Sequence, residues 1–158
     1  MGERTAYRVK SNHETTPSLR KQWGYYKTEE LKKIIIGCAK VLCTFDGIGE
    51  EEIGSGFTAL RYDLEFVPGR LFLALCYVIG KTPFDEITNK PTDISDHGLF
   101  EIEIKKWNHW IIWHYDVKFE DNSIIENSKR KVLEVEFEAG KPVEKGIKFS
   151  YISDNPEW

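Results

Sequence analysis

The chain has 158 residues, 41% apolar and 13% aromatic, with a net charge of −4. That length suits a single domain of roughly 100 to 200 residues, and the apolar content excludes a disordered chain. The longest uninterrupted apolar run, Leu71 to Ile79, is far short of the roughly 20 residues a membrane-crossing helix needs, so no membrane span is expected.

The first 27 residues carry six Lys or Arg against two Glu, a balance of +4 that leaves −8 for the rest of the chain. An acidic body disfavours nucleic acid as a partner, because phosphate contacts need clustered cations. The polar N-terminus lacks the apolar stretch of a secretory signal, so a cytoplasmic location is expected. Cys38, Cys43 and Cys76 are odd in number and sit inside apolar patterns. They read as buried thiols, and their spacing does not suit zinc. No metal or cofactor is expected.

In chain order, Met1 to Lys27 mixes charge and scattered aromatics, including Trp23, Tyr25 and Tyr26, and reads as an irregular arm. Thr28 is a plausible N-cap, Glu29 and Glu30 suit the positive end of a helix, and Leu31, Ile34, Ile35, Cys38 and Leu42 recur at helical spacing. A helix from Thr28 to about Cys43 follows. Asp46 to Gly56 holds four glycines and four carboxylates and reads as a loop. Neither a Walker pattern nor the alternation of a calcium loop is present in it.

Leu60 to Phe66 alternates apolar and charged residues, which predicts a half-buried strand. Leu71 to Ile79 reads as an interior strand covered on both sides, although its pattern also admits a short buried helix. Lys81 to Gly98 is rich in Pro, Asp and Ser and predicts a long loop, with one helical turn at Phe84 to Asn89. Loops of that length are often lids or contact elements. Period-two alternation then marks strands at Phe100 to Ile104, Leu133 to Phe137 and Ile147 to Tyr151.

Between the first two of these lies Trp107 to Glu120, apolar on both faces. Ile111, Trp113, Tyr115, Val117 and Phe119 share one face, and are read as core. Trp110 and Ile112 share the other with His114, Asp116 and Lys118. The expected fold is α+β: a helix packed across an antiparallel meander of five or six strands. Residues 28–158 form a single domain in this reading, preceded by the arm at 1–27.

With that arrangement the sheet face away from the helix carries Asp63, Glu65, Glu101, Glu103, Asp116, Glu120, Glu134, Glu136 and Glu138. They oppose Arg61, Lys105, Lys118 and Lys148, a net of −5. The functional expectation is a non-catalytic protein-binding domain, of inhibitor or immunity type, that masks a basic partner with this acidic face. Trp107, Trp110 and Ile112 are expected to supply an apolar patch beside Glu101, Glu103, Glu134 and Glu136. Trp110 and Ile112 could instead form a symmetric dimer interface. The alternative is a small-ligand-binding or hydrolytic domain. It would have a pocket between helix and sheet, roofed by 81–98, with His114 beside Asp116 as a general base. His109, five residues from His114, points to the opposite side of the strand and cannot join it in a metal site.

Overall fold

The computed structural model of the chain describes residues 4–22, 27–45, 53, 67–80, 86–88, 97–118 and 123–153. Within them the chain forms β1 (Arg4–Lys10), β2 (Ser18–Gln22), α1 (Thr28–Phe45), α2 (Val67–Ile79) and β3 (Glu86–Thr88). It continues with β4 (Leu99–Lys106), β5 (His109–Tyr115), a 3-10 turn (Glu126–Ser128), β6 (Arg130–Phe137), α3 (Val143–Gly146) and β7 (Ile147–Ile152).

The strands join in one sheet of order β3-β2-β1-β4-β5-β6-β7. Strands β4 to β7 form the antiparallel meander read from their alternation. The class is α+β with a mostly antiparallel sheet, as expected. Beyond the three-residue β3, six strands of five to eight residues make up the sheet.

Two of those six come from the segment expected to be an irregular arm. Tyr7 and Val9 alternate with Arg8 and Lys10, and β1 pairs antiparallel with β2 and parallel with β4. Scattered charges hid a two-residue period in which the charged residues simply take the open face. Glu86–Thr88, expected as a helical turn, is instead the edge strand β3, pairing antiparallel with β2. The predicted strand at 60–66 and the rest of the 46–56 and 81–96 loops, apart from Ile53, lie outside the described residues.

Leu71 to Ile79 is helical, within α2, and not an interior strand. Its Leu and Ala residues are better helix than strand formers, and Pro68 near the start has the φ a first turn requires. Helix α1 starts one residue earlier than its Thr28 cap suggested. Leu31 N–H donates to the Lys27 carbonyl, and Glu30 reaches back to accept from Lys27 N–H at 3.3 Å. That is the reciprocal half of a capping box, so Lys27 is the cap and Thr28 the first helical residue.

One large core joins these elements. Leu31, Ile35, Cys38 and Leu42 of α1 and Leu71, Ala74, Leu75 and Ile79 of α2 pack with Tyr7, Val9, Phe100, Ile102, Ile104, Trp110, Ile112, Leu133 and Val135. Registry decides which face of β5 belongs to it: Ile112 lies opposite Ile102 and Leu133, and Trp110 opposite Ile104 and Val135. A much smaller cluster of Ala6, Leu99 and Tyr115, joined by Trp113, Val117 and Ile124, lies on the other face.

Candidate functional site

Strand β5 is apolar on both faces, and its neighbours settle how each face is used. Trp110 is 0% and Ile112 1% exposed. The Trp110 indole N–H donates to the Trp107 carbonyl at 3.1 Å, and its ring packs at 4.5 Å against Phe137. The expected apolar surface patch at Trp110 and Ile112 is therefore corrected: both are core, and so is the dimer seam read onto them. The face expected as core, with Trp113 half-buried, is the one that no helix covers among the described residues.

Glu101, Glu103, Glu134 and Glu136 do share a face, but they share it with Ile111 and Trp113 rather than with Trp110. Among the described residues the face is not uniformly acidic. Strands β1 and β2 bring Arg8, Lys10 and Arg20 to it, and β6 brings Lys131. Arg8 donates through Nε and Nη2 to one oxygen of Glu101, at 2.7 and 2.6 Å. Glu101 is fully buried, and its other carboxylate oxygen has no hydrogen-bond partner. Lys105 lies 3.6 Å from Glu103, and Lys148 stands opposite Glu136 in register. Arg8, Lys10 and Arg20, which the irregular-arm reading had left off the sheet, offset part of the negative charge expected from the acids.

Around Trp113 the polar groups converge. Its indole N–H donates to Glu103 at 3.0 Å, and Lys129 sits 4.5 Å from its ring centre and 5.7 Å from that of Tyr115. On the next row His109 Nε2 and Glu134 are 2.5 Å apart, while Lys131 donates to the other Glu134 oxygen at 2.8 Å. Hydrogen bonds from Lys131 and His109 hold the Glu134 carboxyl below the usual carboxylate range. Lys131 also covers the ring of Tyr151, at 4.6 Å. The result is a row of aromatic rings, each held by a neighbouring cation.

His114 and Asp116 are brought near each other, but not into a catalytic pair. Nδ1 and the carboxylate are 3.7 Å apart, too long for a hydrogen bond. His114 Nε2 lies 2.7 Å from the His97 carbonyl, which can only accept, so Nε2 carries the proton. Burial lowers the imidazole pKa to about 4, against the opposing pull of that carbonyl. Gly98 makes the contact possible: its φ is +74°, and a Cβ there would lie 2.3 Å from the Tyr115 carbonyl oxygen and 2.8 Å from His114 Nε2.

Two of the grooves lined by described residues lie away from His114. One, of about 390 Å³, lies at the end of the sheet between Trp107, Asn108, Glu136, Phe137 and Lys148. The other, of about 230 Å³, lies between α1 and α2 at Glu30, Lys33, Ile34 and Val78. Among the described residues no group of three His, Cys, Asp or Glu is placed to hold a metal ion, and no helix is long and apolar enough to cross a membrane. No protein-family model, curated protein or solved structure matches the chain.

Arg8, His109, Trp113, Lys129, Lys131 and Tyr151 were missed as site residues. The period-two pattern of Tyr7 to Lys10 was a usable signal for Arg8. For the others the signal is cross-strand registry, which a single sequence does not display.

Proposed function

We propose that the protein is a non-catalytic protein-binding domain that uses the sheet face carrying Trp113, which no helix covers among the described residues. The supporting observation is the setting of Trp113: a half-buried indole clamped between the Glu103 carboxylate and the Lys129 ammonium. A large aromatic whose rotamer is already held loses little entropy on binding, which suits an anchor residue.

The partner favoured by this face has an apolar centre and charges of both signs. An inhibitor or immunity-type protein remains the kind of role such a surface serves. Masking a strongly basic partner has less support, because Glu101, Glu103 and Glu134 already hold cations of the chain itself and Glu136 is the exposed carboxylate among the four. A hydrolytic role at His114 has less support still, since a buried, neutral imidazole bonded to a carbonyl is out of reach of a substrate.

The test compares partner capture from a native-source extract by the wild-type protein and by Trp113→Ala and Glu136→Lys, with a Leu73→Ala control on the far side of the molecule. Loss of the same captured species in both face variants, and its retention in the control, is the expected result. Capture that survives Trp113→Ala and Glu136→Lys rules the face out.

A further inference from the structure

Strand β7 ends the sheet, and its outer edge pairs with no other strand among the described residues. Its sequence, Ile-Lys-Phe-Ser-Tyr-Ile, carries one charge and no proline, and Tyr151 and Ile152 are 40% and 39% exposed. Such an edge offers backbone donors and acceptors to another strand, and soluble proteins usually protect theirs with charge, proline or a covering element.

The inner side of β7 contains a register shift that changes how its side chains are shared between faces. Val135 lies opposite Phe149 and Glu134 opposite Tyr151, so Ser150 is an extra residue. The shift resets the alternation. Lys148, opposite Glu136, and Tyr151, opposite Glu134, both project to the open face. Ile147, Phe149 and Ile152, opposite Phe137, Val135 and Leu133, project to the helix-covered face. In an uninterrupted strand, residues three apart such as 148 and 151 would point in opposite directions.

Two antiparallel copies of β7 related by a two-fold axis must pair each residue with one on the same face. A register centred between Phe149 and Ser150 meets that condition at its outer pairs: Lys148 falls opposite Tyr151 of the second copy and Ile147 opposite Ile152, with the bulge residues Phe149 and Ser150 at the axis. Symmetry makes each pair twice, so the edge sets a cation against an aromatic ring and an Ile against an Ile on both sides of the axis. Lys148 would meet the Tyr151 ring much as Lys131 already does from within the chain. We propose that β7 pairs with β7 of a second copy in this register, joining two sheets into one and placing the two Trp113 faces side by side. This inference does not depend on what the face binds.

The solution mass tests it. Wild-type protein is expected to move toward twice its 18.4 kDa chain mass as concentration rises. Tyr151→Lys sets Lys against Lys148 at two places and is expected to weaken the dimer about tenfold, the sum of two unfavourable cross-strand pairs. Adding Lys148→Glu to Tyr151→Lys restores opposite charges at both places, and with them the dimer. A wild-type monomer at all concentrations, a dimer that Tyr151→Lys leaves intact, or a double variant that fails to recover overturns the proposal. If Tyr151→Lys does not fold by circular dichroism, the Ile147→Cys, Ile152→Cys double variant replaces it. The expected result is then a disulfide-linked dimer absent from the wild type, and its absence is equally decisive.

Discussion

His109 and His114 lie five residues apart on one strand and face opposite sides of the sheet. His114 is walled in by the core side, keeps its proton on Nε2 for a carbonyl, and is held neutral by burial. His109 is a quarter exposed and touches a carboxylate that Lys131 also holds. The difference teaches that the helix-covered face is built on shape and exclusion of water, whereas the open face is built on paired charges and clamped rings.

The largest expected effect breaks the covered face. Trp110→Ala should cost about 4 kcal/mol in a denaturant titration, the range for removing a buried aromatic. Trp113→Ala, three residues along the same strand and on the opposite face, should cost less than half of that; equal costs would mean that this face is also a core. Next, Glu101→Ala leaves Arg8 mostly buried without its counter-charge and should cost about 3 kcal/mol. If the loss is within error of zero, the pair belongs to the surface and not to a buried layer.

His114 gives a pH signature of similar size. Its folded pKa, about 4, lies below the ordinary histidine value of 6.5, so the unfolded chain binds the proton first. Stability from this residue is therefore complete above pH 6.5, falls as the pH drops toward 4, and changes no further below that. The full span is about 3 kcal/mol. Denaturant midpoints measured across the window should show this slope, and His114→Gln should remove it. Glu134, whose carboxyl is held low, adds its own loss at more acidic pH, as its folded pKa is approached. Smallest of all, Lys131→Ala should cost about 0.5 kcal/mol, shrinking with added salt, because it breaks a partly exposed pair.

The meander and the first helix could be read directly. Phe100, Ile102 and Ile104, like Leu133, Val135 and Phe137, alternate so strictly with charged residues that only one face could be buried. The candidate site was less legible. Its carboxylates were placed together on one face, but Trp113 and Trp110 were exchanged between faces. By residue count the odd side of β5 is the more apolar, and counting within one strand favours it as core. The Ile102–Ile112–Leu133 row overrules the count, because a strand cannot be turned independently of the two it is bonded to.

The sequence by itself determined the class, the helix at Thr28, the strands with a clean two-residue period and the burial of Cys38 and Cys43, while Cys76, also expected buried, is half-buried. In each of these a local pattern and the hydrophobic effect point the same way. Tertiary structure alone decided three things: that Tyr7 to Lys10 joins the sheet, that Leu71 to Ile79 is helical, and which face of β5 is dry. A segment whose apolar residues suit either face, or either kind of element, takes its state from what lies opposite it, and that partner is distant in the chain.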